Sequence, residues 1–181
     1  MNQASRRELL LFTLLLTFGV IGRWLQPAWN FTPLAAVTAM GAYCFRSWLP
    51  AVLLPVSLLV ISDVLLQPHD SWAAMLSVHA MAVVPLALGR LARGSEGWRR
   101  AACWGLCGFV PATAFFLVTN FAVWAGRSLY EPTFAGLMHC YEQAIPFYRT
   151  MLAGDVCYVA LAVACLAVVE AFERRTATVA A

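Results

Sequence analysis

The sequence predicts an all-α integral membrane protein with six transmembrane helices and both termini in the cytoplasm. Hydrophobic residues make up 62% of the 181-residue chain and charged residues only 12%, about half the charged share of an average soluble domain. The apolar residues gather in runs of about 18 to 20, the length that an α-helix needs to cross a bilayer. The arginines lie mostly at the ends of these runs. Together these features predict one six-helix membrane domain over residues 1–181.

The first three spans are predicted at residues 8–25, 32–46 and 48–66. Two arginines precede the first span and no small-residue cleavage site follows it, which favours a transmembrane helix over a secretory signal. Pro33 fits the first turn of the second span, where a missing amide hydrogen costs little. Pro55 predicts a kink within the third span.

The last three spans are predicted at residues 71–91, 101–124 and 147–172. Between the fifth and sixth lies a predicted outer loop, residues 125–146, which is rich in aromatic side chains. Loops of this length in compact proteins are commonly lids or binding segments. We therefore expect this loop to roof a pocket on one side of the membrane.

The arginines predict the orientation of the bundle. The chain has no lysine, and nine of its twelve basic residues fall on the side of the termini. Cytoplasmic loops of membrane proteins carry such an excess, so the termini are predicted to be cytoplasmic and the aromatic loop extracytoplasmic. The three arginines predicted on the outer side are Arg23, Arg127 and Arg149.

Several function classes find no support in the sequence. No soluble basic patch indicates a nucleic-acid partner, and there is no phosphate-binding glycine loop, HExxH or GxSxG motif. The six cysteines show neither a CxxC pair nor the spacing of a disulfide scaffold. Cys103 and Cys107 are best interpreted as small packing residues within a helix.

Four ionisable residues lie in or near the outer ends of the predicted spans. Charged groups inside a membrane usually have partners or a water-filled cavity, so these four can form a buried outer network. Two interpretations stay open: the network holds the helices together, or it contacts a polar ligand. Its members are Arg23, Asp63, Arg149 and Asp155.

His79 is a histidine deep in a predicted span, about 12 Å below the outer surface by helical rise. It could ligate a metal at the floor of an outward cavity or serve as a hydrogen-bonded core residue. His69, His139 and Cys140 lie near the expected cavity mouth, and without a further ligand at fixed spacing they give a zinc site little support.

Aromatic and amide side chains share one face of the fifth predicted span. Phe116, Asn120 and Trp124 are spaced i, i+4 and i+8, so they lie along the same helical face. We expect this face to wall the pocket.

The order of several short motifs resembles the substrate-binding S-components of energy-coupling-factor vitamin transporters. The resemblance covers nearly the whole chain, and within this group it is strongest to the solitary vitamin B12 transporters of the BtuM type. The motifs are NFTP from Asn30, Asp63, FFLVTNFAVW from Phe115, GLMHCY from Gly136, IPFYR from Ile145 and Gly154-Asp155.

The resemblance implies an S-component-like bundle that binds cobalamin (vitamin B12), a cobalt-containing solute, and carries it across the bacterial inner membrane. It implies no other cofactor. A corrin ring with amide arms would need aromatic surfaces and hydrogen-bonding groups. The residues that could supply them are Arg23, Asp63, His79, Ala80, Phe116, Asn120, Trp124, Tyr130, Tyr141, Phe147, Arg149 and Asp155.

This chain departs from the family pattern at two places. The resemblance implies a cysteine as axial cobalt ligand at the position of Ala80, so thiol-dependent removal of cyanide from cyanocobalamin is expected only in relatives with that cysteine. His79 is then the fallback cobalt ligand. The first span also lacks the AxxxA face that docks S-components on a shared energy-coupling module, which favours solitary action. Gly19 and Gly22 still offer close helix contacts.

Two alternatives remain open at this stage. One is an S-component-like transporter for another vitamin or small solute. The other is a membrane enzyme that modifies a corrinoid, or an assembly factor that uses the outer loop.

Overall fold

A computed structural model describes residues 3–64, 66, 72–126 and 129–179, and over these residues the chain is all-helical. His69, Asp70 and Arg127 lie outside the described residues. The helices are α1 Gln3–Trp24, α2 Leu34–Cys44, α3 Trp48–Asp63, α4 Trp72–Met81, α5 Val83–Arg93, α6 Gly97–Cys107, α7 Val110–Gly126 and α8 Phe134–Val179.

Two of the predicted spans are broken helices rather than continuous ones. The fourth divides into α4 and α5 at Ala82, and the fifth divides into α6 and α7 at residues 108–109. Each first segment ends four residues before a proline, Pro85 or Pro111. A proline ring removes one helical hydrogen bond and clashes with the carbonyl four residues earlier, which accounts for both breaks. Pro55, in contrast, lies inside the uninterrupted α3.

The expected outer loop at residues 125–146 is largely helical, so that prediction was wrong in its bounds. Helix α8 begins at Phe134 and continues for 46 residues with Pro146 inside it. The first turns of α8 carry aromatic, polar and charged residues rather than a continuous apolar run, so hydropathy alone does not indicate a helix there. The connection between α7 and α8 therefore shortens to residues 127–133.

Helix α2 is the centre of the bundle, and most of its residues are buried. One core cluster joins it to α1 and α3 through Val20, Phe45 and Leu58. A second cluster joins it to α6 and α8, and Cys107 packs there as a small core residue. Two glycines allow close helix approach in this region: Gly22 lies against Pro33, and Gly89 of α5 lies against the Ala39 backbone.

Three arginines, Arg90, Arg93 and Arg100, gather at one end of the bundle, beside the C-terminus of α2. Arg90 donates to the carbonyl oxygens of Phe45 at 2.7 Å and Ser47 at 2.6 Å, and Arg93 donates to that of Tyr43 at 3.2 Å. Carbonyls at a helix C-terminus have no intrahelical partner, so these guanidinium groups satisfy them and offset the negative end of the dipole. Arg100 forms an ion pair with Glu170 at the same end, at 3.0 Å.

Three helical stretches are long and apolar enough to cross a membrane: Met75–Arg93, Gly97–Gly126 and Phe134–Thr178, the first two of which include the breaks. Helices α2 and α3 are apolar but shorter. Large apolar side chains cover much of the outside of the bundle; Leu10, Leu14 and Phe18 of α1 are each about half exposed. Exposed apolar surface on this scale marks contact with lipid or another protein.

Candidate functional site

An ion pair joins the ends of α1 and α3, at the opposite end of the bundle from the arginine cluster. The Arg23 Nη1 atom donates to the Asp63 Oδ1 atom at 2.8 Å and also to the Ser62 hydroxyl. The neighbouring Trp24 indole donates to the Ser62 carbonyl oxygen at 3.0 Å. The Arg23 and Asp63 side chains are 13% and 23% exposed, so the pair is largely shielded from solvent.

A buried carboxylate lies where the second broken helix resumes. Asp155 of α8 is 5% exposed, and its carboxyl group lies close to the Ala112 backbone amide in the first turn of α7. The first amides of a helix lack intrahelical acceptors and form its positive end. The break before Pro111 therefore places an N-terminus inside the bundle, beside a carboxyl group from another helix.

A cavity of about 530 Å³ lies between the ion pair and this buried carboxylate. Both helix breaks border it, through Met81 and Ala82 on one wall and Pro111 and Ala112 on another. Most of the lining is apolar. The other lining residues described are Arg23, Gln26, Trp29, Asn30, Thr32, Leu34, Ala35, Asp63, Leu66, Val78, Pro85, Phe115, Met151 and Asp155.

The chain between α1 and α2 forms an ordered rim for this cavity. The Gln26 side-chain oxygen accepts from the Asn30 amide at 3.0 Å, and Asn30 has a φ of 65°, a conformation that asparagine tolerates better than most residues. A Cβ at Gly154 would lie 3.1 Å from the Phe31 Cα. The rim is therefore packed directly on α8, one residue before Asp155.

The predicted outer network is assembled in part. Arg23 and Asp63 pair as expected for ionisable groups near span ends, and Asp155 lines the same cavity. Arg149 does not join them: its side chain is exposed and lies outside the described lining. Asp155 is six positions further along α8, nearly two helical turns away.

The aromatic face of α7 packs on α8 instead of walling the cavity. The Phe116 ring lies 5.3 Å from Tyr141 and 4.7 Å from Tyr148. The Tyr141 hydroxyl donates to the Leu117 carbonyl oxygen at 2.8 Å. The Asn120 amide donates to the Phe116 carbonyl oxygen of its own helix at 2.7 Å. These groups stabilise the α7–α8 pair and lie outside the described cavity lining.

The remaining aromatic candidates hold the connection between these two helices or face outward. The Trp124 indole donates to the Glu131 carbonyl oxygen at 2.9 Å, and the Tyr130 ring meets His139 edge-on at 5.7 Å. Phe147 is 50% exposed. None of these three predicted binding residues is among the described residues of the cavity wall.

The position expected to hold a cobalt ligand faces away from the cavity. Ala80 is exposed, and its neighbour His79 is half-buried with its Nδ1 atom donating to the Met75 carbonyl oxygen at 2.9 Å. The cavity wall is formed instead by Val78, Met81 and Ala82. His79 thus makes a hydrogen bond within its own helix, as expected for a hydrogen-bonded core residue.

The weakly indicated zinc site does not form among the residues that the structure covers. His139 is exposed, near Glu142 at 3.9 Å, whereas the adjacent Cys140 is buried and its thiol donates to the Asn120 carbonyl oxygen at 3.5 Å. Across the described ranges no three histidine, cysteine or acidic side chains are grouped to hold a metal ion.

Sequence reasoning missed the two broken helices that border the cavity. The signal was present, since Pro85 and Pro111 each lie inside a long apolar run and a proline there ends or kinks a helix. Pro55 gives the same signal without a break in the assigned helix. Proline position alone therefore indicates where a helix can break and does not decide whether it breaks.

Taken together, the fold and the cavity define a class of protein: an all-helical chain with three helices able to cross a membrane and a mostly apolar, carboxylate-containing cavity at one end. The family model described as "Family of unknown function (DUF6580)" matches residues 3–178, and the chain belongs to that family. No curated protein and no solved structure matches the chain.

Proposed function

We propose that this chain is a membrane solute-binding protein of a transport system, which takes a small amphipathic solute into the cavity beside Asp155. One observation carries the proposal: two proline-broken helices meet at a cavity that holds a buried carboxylate. Transporters commonly form their solute sites from interrupted helices whose free ends supply backbone polar groups deep in the membrane. A globular packing role alone would not require such an open volume at the breaks.

The proposed orientation places the cavity on the extracytoplasmic side of a bacterial inner membrane. The cavity lies near Arg23 and Asp63, while Arg90, Arg93 and Arg100 lie at the other end of the bundle. The excess of arginine marks the cytoplasmic side. In this arrangement the six helical rods cross the bilayer, with α4–α5 and α6–α7 each forming one interrupted span.

The size and composition of the cavity favour a solute smaller than cobalamin. A volume of about 530 Å³ lies within the range of about 300–1,000 Å³ typical of pockets for drug-sized ligands. Cobalamin, with its corrin ring and nucleotide tail, is much larger than such ligands. The side chains expected to hold a corrin are engaged between α7 and α8, and Ala80 points elsewhere. We therefore propose uptake of a smaller vitamin-like solute first, and cobalamin import as the alternative.

Solitary action, without a shared energy-coupling module, is part of the proposal. The two glycines of α1 are already used inside the chain, because a Cβ at Gly19 would overlap Leu58 and one at Gly22 would lie 2.6 Å from Pro33. A face occupied in this way is not available to a partner helix. Uptake by the chain alone in liposomes tests this point directly.

The proposal can be tested by filling the cavity. Met151→Trp adds a large side chain to the cavity wall, whereas Leu161→Trp adds the same side chain to an exposed site on the same helix. Native mass spectrometry of protein purified from membranes would identify small molecules that co-purify. Radiolabelled forms of these molecules would then be offered to proteoliposomes.

We expect wild-type protein and Leu161→Trp to retain and transport the solute, and Met151→Trp to lose it. Cyanocobalamin forms a separate arm, read by its visible absorption. If cyanocobalamin binding is saturable and Met151→Trp abolishes it, the solute of the cavity is the corrinoid and not a smaller molecule. Solute retention that is equal in all three proteins would refute a binding role for the cavity.

A further inference from the structure

We infer that the cavity selects solutes carrying a single positive charge, such as a primary or quaternary ammonium group, and that Asp155 is the residue that binds it. This inference rests on the proposed function, since it names the chemical class of the solute for the same cavity.

The described wall holds one positive and two negative side chains, Arg23, Asp63 and Asp155. Arg23 lies 2.8 Å from Asp63, so these two charges compensate each other. Among the described residues, no arginine or histidine lies within salt-bridge distance of Asp155, and the polar group close to it is the Ala112 backbone amide. With its carboxyl groups ionised, the described wall therefore carries a net charge of −1.

The buried position of Asp155 makes a missing counter-charge expensive. The residue is 5% exposed, and a carboxylate without a partner in such surroundings loses hydration that one amide cannot replace. A carboxylate has about four acceptor positions, and the Ala112 amide can occupy at most one of them. A primary ammonium group in the cavity would supply both the opposite charge and further N–H donors, and a quaternary ammonium group would supply the charge alone.

The rest of the wall fits the body of an organic cation better than a metal ion. A divalent metal needs several oxygen, nitrogen or sulfur ligands, and the described chain offers no group of three such acidic, histidine or cysteine side chains. Trp29, Phe115, Met81 and Met151 line the cavity instead. Aromatic faces attract organic cations, and methionine packs adaptably around apolar groups.

The electrostatic preference can be measured without knowing the natural solute. Ala82→Cys places a thiol on the wall, at a half-buried position. The protein, with its native cysteines retained, is treated in liposomes with the trimethylammonium-ethyl or the sulfonatoethyl methanethiosulfonate reagent. Peptide mass spectrometry measures the modification rate at residue 82, normalised to the rates for free cysteine. Val78→Cys provides a second position on the same wall.

We expect the cationic reagent to react faster than the anionic one by on the order of tenfold, since a single charge several ångströms away in a partly hydrated site shifts local concentrations by that amount. Asp155→Asn should reduce this ratio to near one. The control Glu142→Gln removes a charge from an exposed side chain outside the cavity and should leave the ratio unchanged.

Each outcome decides the inference. A ratio at or below one, a ratio that survives Asp155→Asn, or failure of both reagents to modify both thiols would overturn it. Failure of the proposed transport function would look different: the charge preference would persist while Met151→Trp had no effect on solute retention. Conversely, Met151→Trp could abolish solute retention while the reagents show no charge preference. That result would support the proposed function and refute the inferred preference for a cationic solute.

Discussion

Breaking the Arg23–Asp63 ion pair should measurably weaken the association of α1 with α3. Arg23→Met removes the charge-assisted bonds to Asp63 and Ser62 and leaves Asp63 without this cation. Hydrogen bonds to charged groups contribute about 1.5–3 kcal/mol, and breaking a fully buried pair costs about 3–5 kcal/mol. Because the two side chains are 13% and 23% exposed, we expect a loss of about 2–3 kcal/mol in the free energy of unfolding.

The pairwise part of this loss can be isolated by a double-mutant cycle. Arg23→Met, Asp63→Leu and the double variant would be unfolded by sodium dodecyl sulfate in detergent micelles, with helicity followed by circular dichroism. We expect the double variant to lose less stability than the sum of the single variants, with a coupling energy of about 1.5–2 kcal/mol.

A second ion pair in the same chain provides the control. Arg174 lies 3.3 Å from Glu170 one turn away, and the two side chains are 78% and 30% exposed. Glu170 also pairs with Arg100, and a double-mutant cycle isolates the Arg174 contribution. An exposed pair at this spacing contributes about 0.3–0.5 kcal/mol, so Arg174→Met with Glu170→Gln should show a much smaller coupling. Equal coupling for the two pairs, or additive effects of Arg23→Met and Asp63→Leu, would refute the claim that burial makes the first pair strong.

Four further substitutions have definite expected outcomes. Gly89→Ala should destabilise the bundle by about 1–3 kcal/mol, because the new methyl group would overlap the Ala39 backbone. Gly105→Ala should instead stabilise its helix by up to about 1 kcal/mol, because the space around its Cβ is open. The detergent unfolding assay checks both substitutions. Gly154→Ala should push the cavity rim away from α8 and weaken retention of co-purified solute, with wild-type retention contradicting the rim's role. Ala80→Cys should leave the visible spectrum of added cyanocobalamin unchanged, because residue 80 lies outside the cavity; a shifted spectrum would show that the corrinoid reaches it.

The ionisable residues were the most informative part of the sequence. A charge near the end of an apolar run is costly unless it has a partner, and this principle alone selected Arg23, Asp63 and Asp155, which border one cavity. It also selected Arg149, whose exposed side chain shows the limit of the principle. Position along a helix gives the depth of a residue, but its direction depends on how the helix is rotated against its neighbours.

Helical periodicity correctly put Phe116 and Asn120 on one face but did not reveal what that face meets. An aromatic face binds a ligand or a neighbouring helix with the same pattern, and here α8 is the neighbour. That outcome required knowing that α8 begins at Phe134, ahead of the expected span. Hydropathy does not predict the start of α8, because its first turns are too polar for a membrane-spanning run.

The length of α8 has a mechanical consequence for any membrane that holds this protein. Its 46 residues extend about 69 Å at the helical rise, whereas the hydrocarbon layer is about 30 Å thick, or about 39 Å along a rod tilted by about 40°. Some 30 Å of the rod must therefore protrude into headgroups and water, continuous in backbone with the turn that carries Asp155. A force applied to the protruding part of α8 would be transmitted along the helix axis to the Asp155 carboxylate.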